Sequence, residues 1–291
     1  VPAWGTFKVR ELRPGQIESY LNQKVRDGQL SAMSARHIRG ILRAALNWAI
    51  AEGHVSRNVA ALAKAPKVAR RDVEPFTPEE VDAILRALAG DRLEGLYITE
   101  VALGLRPAEL LGLAWQNVDL DGAFAHVRNT LQYIDGEYRL TPSAKTLDSQ
   151  AAMPLPEFVI EVLQEHLERQ DKEQAKLEKY HQPLGNEWDL VFTAEDGRPL
   201  HQSTIYHHFQ RLLRRIGIRP RSFYTLRHTS ASLLIEDGAE LRDVMEHLRH
   251  SQISLTANTY THLYQSRKRA TAERMDTRLR RTKAAAMIQA S

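Results

Sequence analysis

The sequence predicts a mainly α-helical protein: a small helical domain, a linker, and a larger domain that is mostly helical with one small antiparallel sheet. Three observations predict it. Apolar residues fall at helical spacing along most of the chain, the pattern of helices with one buried face. Between about residues 123 and 154 the period shortens to that of strands. The stretch Lys64–Pro75 has two prolines, four cations and no periodicity, as an extended linker does. The expected boundaries are a helical domain at 1–65, a linker at 66–75, a second domain at 76–270 and a basic tail at 271–291.

Each element has a local reason. Pro14 suits the first turn of a helix on which Ile17, Tyr20, Leu21 and Val25 share a side, and Gly28 ends it. Ser34 is the expected cap of a second helix that buries Ile38, Ile41, Leu42, Ala45, Leu46, Ala49 and Ile50 and stops at Gly53. Its other side carries Arg36, Arg39 and Arg43 as a basic stripe. Past the linker, Thr77-Pro78-Glu79-Glu80 supplies an N-cap, a proline at the first helical position and a capping-box glutamate. A helix near Leu93–Leu103 ends at Gly104, and Pro107 restarts helix directly after Arg106. Short strands are expected at Ala123–Val127, Leu131–Ile134, Tyr138–Thr141 and Ala151–Pro154, with turns at Asp135-Gly136 and Ser143–Gln150. A long helix from Pro156 to about Tyr180 and a short strand at Asp189–Thr193 follow. Further helices are expected at Ser203–Ile216, Thr225–Asp237, Leu241–Leu248 and near Thr256–Tyr264.

Composition bounds the function. The 291 residues suffice for two cores, and 43% hydrophobic with 26% charged residues is ordinary for a globular protein. No apolar run is long enough to span a bilayer, and no signal peptide is visible, so a cytoplasmic protein without membrane association is expected. The chain opens at Val1 within what reads as a continuing domain, so a further N-terminal portion is expected upstream. The lack of cysteine excludes disulfides, thiolate zinc sites and thiol nucleophiles. The net charge is only +4, but residues 1–75 hold 13 Lys+Arg against 6 Asp+Glu, a local balance of +7. That asymmetry points to an electrostatic grip on nucleic acid at one end, although a solvated, charge-rich surface explains it as well.

Several residues could carry chemistry. Arg106 lies between two helices and before a proline, which holds its backbone extended beside a helix start, with Glu109 three residues on. On this segment alone, a helix-end arginine paired with Glu109 is the commoner reading. Arg227 begins a helix in Tyr224-Thr225-Leu226-Arg227-His228-Thr229, and Tyr224, three residues before it, can face the same way. A surface arginine is again the commoner reading there, and His228 reads as structural. Lys145 sits at a loop tip between strands, where lysines are usually just solvated. His250 follows a helix that also carries His247, but no nearby carboxylate completes a metal set. Tyr260 comes ten residues after His250, in Thr259-Tyr260-Thr261-His262. No Gly-rich phosphate loop and no Gly-x-Ser-x-Gly elbow is present, so no nucleotide cofactor is expected.

Taken in order, Arg106, Lys145, Arg227, His250 and Tyr260 resemble the tyrosine recombinase (phage integrase) family. The family's Gly-Leu-Arg-x-x-Glu-Leu box is matched by Gly104–Leu110, and its Leu-Gly-His-Ser box by Leu248-Arg249-His250-Ser251, with arginine in place of the usual glycine. The nucleophile box is matched around Tyr260. A second departure is Tyr224, where the family usually has histidine or lysine; a phenol can donate a hydrogen bond to a phosphate but brings no positive charge.

The resemblance implies a truncated core-binding domain followed by a catalytic domain, and DNA cleavage and rejoining without metal or ATP. It implies that Arg106 and Arg227 clamp the scissile phosphate, with Tyr224 as a further phosphate contact. It implies that Tyr260 attacks phosphorus, Lys145 protonates the leaving 5′ oxygen, and His250 moves a proton or holds an oxygen. Arg36, Arg39, Arg43, Lys67, Arg70 and Arg71 are the expected DNA-backbone contacts outside the reaction centre. The implied partners are double-stranded recombination sites, three further copies in a homotetramer, and an accessory DNA-bending or directionality protein. Arg106→Lys and Arg227→Lys are each expected to lose most cleavage while keeping the fold. A type IB topoisomerase, relaxing one duplex, and a DNA-binding protein that has lost catalysis are the alternatives.

Overall fold

The structure is a computed structural model that describes Gly5 and residues 7–68, 74–143, 152–181, 185–249 and 275–276. The chain divides into two compact units, residues 1–71 and 72–291. The expected helix near Thr256–Tyr264, most of the Ser143–Gln150 turn and nearly all of the basic tail lie outside the described residues. No helix among the described residues is long and apolar enough to cross a membrane.

The first unit contains α1 (Pro14–Arg26), α2 (Ala32–Ala51) and the single-turn α3 (Val59–Leu62). The α2 cap is Ser31 rather than Ser34: the Ser31 hydroxyl accepts the Ser34 N–H at 2.9 Å, which makes Ser34 the third residue of the helix. Ile17, Leu21, Ala35, Leu46, Val59, Ala60 and Ala63 form the small core. Ile41, Ala45 and Ile50, expected inward, are exposed, because α1 and α3 cover only the stripe running from Ala35 through Ile38, Leu42, Leu46 and Ala49. Four residues are too few to show a period, so α3 had no signal of that kind. Asn58 builds it: its Oδ1 accepts the Ala61 N–H at 3.0 Å while its Nδ2 donates to the Arg43 carbonyl at 2.8 Å.

The second unit begins with α4 (Pro78–Leu88), α5 (Glu94–Leu103) and α6 (Pro107–Leu111). Strands β1 (Val118–Asp119), β2 (Phe124–His126), β3 (Asn129–Ile134), β4 (Glu137–Pro142) and β5 (Ala152–Pro154) come next. Helices α7 (Glu157–Lys179), α8 (Gln202–Arg215), α9 (Thr225–Glu236) and α10 (Leu241–His247) follow among the described residues. Thr77 caps α4 with the expected box: its hydroxyl accepts the Glu80 N–H, and Glu80 accepts the Thr77 N–H at 3.0 Å. Helix α5 is central, packed on α4, α7 and α9, and Gly95 through Glu100 are all buried.

The strands form two sheets where one was expected, an antiparallel trio ordered β1-β2-β5 and a separate β3-β4 hairpin. Pairing breaks at Val127 and Arg128, and β3 then lies on α6 so closely that a side chain at Gly112 would meet the Leu131 nitrogen at 2.8 Å. The buried run Leu190–Thr193 makes only the isolated bridges Ala114↔Leu190 and Thr193↔Pro199, not the expected strand. The core spans α4 to α9 and includes Ile84, Leu96, Tyr97, Leu110, Phe192, Phe209 and Leu226.

Candidate active site

Helix α5 ends at Gly104 in the left-handed region, φ 54°. A Cβ there would sit 3.0 Å from Leu248 Cδ2 and 3.1 Å from Ser230 Oγ, so the turn needs glycine for both its angle and its space. Two residues later Arg106 is extended, φ −74° and ψ 145°, as the following proline requires. Glu109, in the first turn of α6, accepts the Arg106 N–H on Oε2 at 2.8 Å and the Arg106 guanidinium on Oε1 at 2.8 Å. The Glu109 side chain is 4% exposed and that of Arg106 46%, so a buried carboxylate anchors a guanidinium that still faces outward.

Arg227 is not the surface arginine that its helix position suggested. It is 1% exposed. One terminal nitrogen donates to the Gly104 carbonyl and the other to the Leu248 carbonyl. Those carbonyls lie two residues before Arg106 and two before His250, so one guanidinium staples both chain segments to α9. Burial and the neighbouring Arg106 charge pull its pKa down, but an arginine stays protonated at neutral pH. Tyr224, three residues before it, is 39% exposed, its ring edge-on to His228 at 5.2 Å.

The next side chain along, Arg249, joins the same cluster, a placement the sequence reading did not assign. Its Nη2 lies 2.6 Å from Glu109 Oε2, its side chain is 6% exposed, and its backbone is left-handed at φ 51°. Burial alone would raise the Glu109 carboxyl, but the charge of Arg249, the Arg106 N–H and the Arg106 guanidinium outweigh it and hold Glu109 ionised. Glu100, one turn before Gly104, is fully buried, and neither side-chain oxygen has a hydrogen-bond partner among the described residues. Its pKa is raised by burial against the pull of Arg227. The only signal for these two was an acid inside an apolar helix and an arginine in a glycine's place.

His228 and His247 lie close by, and both are pushed down to about 4 by burial and then by the Arg227 charge. They are neutral at physiological pH and add no cation, which fits the structural reading of His228. Lys145, His250 and Tyr260 lie outside the described residues, as do Arg70 and Arg71. In the first unit, Arg36, Arg43 and Lys67 are exposed. Arg39 is half-buried and donates to the Ala63 carbonyl at the end of α3, so part of its guanidinium holds the fold.

The model of the phage integrase family matches residues 74–267. A XerC-like tyrosine recombinase of Caldanaerobacter subterraneus is 30% identical, the alignment covering 93% of this chain and 72% of that protein. The chain belongs to the phage integrase family of tyrosine recombinases. An integrase of Streptomyces ambofaciens is 28% identical over 89% of this chain and 67% of its own length. Solved integrases share the fold. The Tn1549 transposon integrase in complex with transposon right-end DNA has a TM-score of 0.76 at 20% identity, covering 92% of this chain and 87% of that one. A lambda integrase dimer bound to a core site gives 0.62 at 22% identity, covering 89% and 83%. In this integrase-family chain, Arg106 and Arg249, both paired with the buried Glu109, lie on the segments that carry two of the family's boxes, Gly104–Leu110 and the one opening at Leu248.

Proposed function

We propose that this tyrosine recombinase is a site-specific enzyme that exchanges strands between two DNA duplexes through a 3′-phosphotyrosyl bond on Tyr260. The observation that carries the reading is the double staple of Arg227, which brings the segment holding Arg106 and the segment leading into His250 together. Phosphoryl transfer asks a protein mainly for positioning and charge stabilisation, and a cluster of guanidiniums supplies both. Arg106 grips one non-bridging oxygen with the face that Glu109 leaves open. Arg227 keeps three of its five N–H donors beyond its two carbonyl bonds; burial means that the site opens over it when a phosphate enters.

In this reading Tyr260 attacks phosphorus as His250 takes up or steers its proton, and Lys145 protonates the departing 5′ oxygen. Tyr224, exposed at the start of α9, donates its hydroxyl to the phosphate. The phosphotyrosine retains the energy of the broken bond, so a 5′-hydroxyl of a second duplex reverses the step without ATP. Residues 1–71 act as the core-binding domain, with Arg36, Arg43 and Lys67 on the DNA backbone, joined by Arg70 and Arg71, while residues 72–291 act as the catalytic domain. The working assembly is four protomers on two duplexes in the cytoplasm, with an accessory DNA-bending or directionality protein setting the outcome. A lambda integrase tetramer on a Holliday junction shares the fold, with a TM-score of 0.57 at 23% identity, covering 84% of this chain and 66% of that one.

The test is a duplex nicked beside the cleavage site, so that the short fragment bearing the released 5′-hydroxyl diffuses away after attack. A covalent protein–DNA adduct that adding a second duplex with a free 5′-hydroxyl converts to recombinant is expected. Relaxation of one supercoiled duplex with no transfer to a second would replace recombination with topoisomerase activity. Binding with no adduct would remove the enzyme reading.

A further inference from the structure

Arg249 has a left-handed backbone at φ 51°, a conformation that side chains other than those of Asn and Asp seldom adopt. Its guanidinium is nevertheless drawn inward to Glu109, where the N–O distance is 2.6 Å and the two side chains are 6% and 4% exposed. A charge buried this deeply needs a partner, so the pair holds both side chains in one geometry. Glu109 holds Arg106 by its other oxygen and accepts the Arg106 N–H as well. The carboxylate is therefore a bridge between two arginines that lie 143 positions apart. A second bridge runs parallel to it, from Gly104 through Arg227 to Leu248. Arg249 also changes the charge. With Glu100 in the neutral form that burial favours, three guanidiniums against Glu109 give +2, and without Arg249 the cluster has +1.

We propose that Arg249 is a positioning residue for phosphodiester cleavage, acting through Glu109. Its ion pair fixes the carboxylate that aims the exposed Arg106 guanidinium, and it ties the backbone entering His250 to the segment that carries Arg106. The inference rests on the reading that Arg106 grips the scissile phosphate. Removing Arg249 leaves Glu109 free to take a second Arg106 nitrogen and turn that guanidinium away from the phosphate. Glycine at 249 relieves the backbone, so the variant R249G removes the side chain without adding strain. R249K keeps a cation that reaches one carboxylate oxygen but lacks the fork that fixes its angle.

The experiment is single-turnover cleavage of the nicked duplex at saturating DNA by wild type, R249G, R249K, E109Q and E109Q/R249G, with DNA affinity measured separately. R249G is expected to cleave about 10- to 100-fold slower, the scale of a misplacement near 1 Å, with unchanged DNA affinity and full reaction amplitude. A purely structural residue would lower the amplitude, the fraction of active molecules, and leave the rate of the remainder alone. R249K should recover part of the rate, and the double variant should be no slower than the slower single one, because both break one bridge. R249G cleaving at the wild-type rate, or rate losses that multiply in the double variant, overturns the role of Arg249 while leaving the recombinase reading intact. A wild-type protein that forms no adduct overturns both.

Discussion

The two arginines of the cluster make different demands on a lysine substitution, and this separates their roles. Arg227 bonds two carbonyl groups from different segments while 1% exposed. An ammonium at the same position reaches one of them and leaves the other a buried, unsatisfied acceptor, at a cost of about 1–3 kcal/mol. Arg227→Lys should therefore lower the unfolding free energy by about 2 kcal/mol, with the fold kept, as well as remove most cleavage. Arg106 is half-exposed and paired with Glu109 at its inner end. Lysine there keeps an ion pair in contact with solvent, so Arg106→Lys should change stability by less than about 1 kcal/mol while cleavage falls just as far. Urea unfolding followed by tryptophan fluorescence measures both, since Trp115 and Trp188 lie in the second unit. An Arg227→Lys protein as stable as wild type, or an Arg106→Lys protein as destabilised as Arg227→Lys, would refute the distinction between staple and open clamp.

Acid should weaken the second unit through its histidines. His166, His228 and His247 protonate near 4 when folded, against an ordinary value of 6.5. Between those values the unfolded chain binds the protons that the folded one refuses, so stability is full above pH 6.5, falls toward pH 4 and then levels, by on the order of 3 kcal/mol for the deeply buried His166. Urea midpoints that do not change between pH 7 and pH 5 would contradict this. Gly104→Ala places a methyl against Leu248 and Ser230 at a left-handed residue and shifts the carbonyl that Arg227 holds. It should cost more than about 1 kcal/mol and slow cleavage; a neutral result in both assays would count against the tight turn. Lys145→Ala should lose cleavage of ordinary DNA but recover it on a 5′-bridging phosphorothiolate, whose thiolate leaves without a proton. Equal loss on both substrates would remove Lys145 as the acid.

The parts of this site that were legible in the sequence are those whose chemistry is local. Arg106 before Pro107 with Glu109 three residues on dictates an extended backbone, a helix start and an ion pair, and all three are present. Arg227 misled because an arginine on a helix reads as a surface residue. Helix α9 is buried on most sides, and its Thr229 and Ser232 hydroxyls donate to their own helix's carbonyls, so it shows little amphipathic period. Arg249 could be flagged as a departure, but its partner lies 140 residues away and only tertiary structure pairs them. The same limit hid β1, two residues long, and the split of the strands into two sheets, which follows from how closely β3 meets α6 at Gly112.

The central claim is best tested at the attacking atom. Trapping the protein on a nicked duplex, digesting both polymers and locating the nucleotide-bearing peptide by mass spectrometry should find it on Tyr260 alone, with Tyr260→Phe binding the same DNA and yielding no adduct. Nucleotide carried by Tyr224 or another side chain, or an adduct that persists in Tyr260→Phe, would contradict the account.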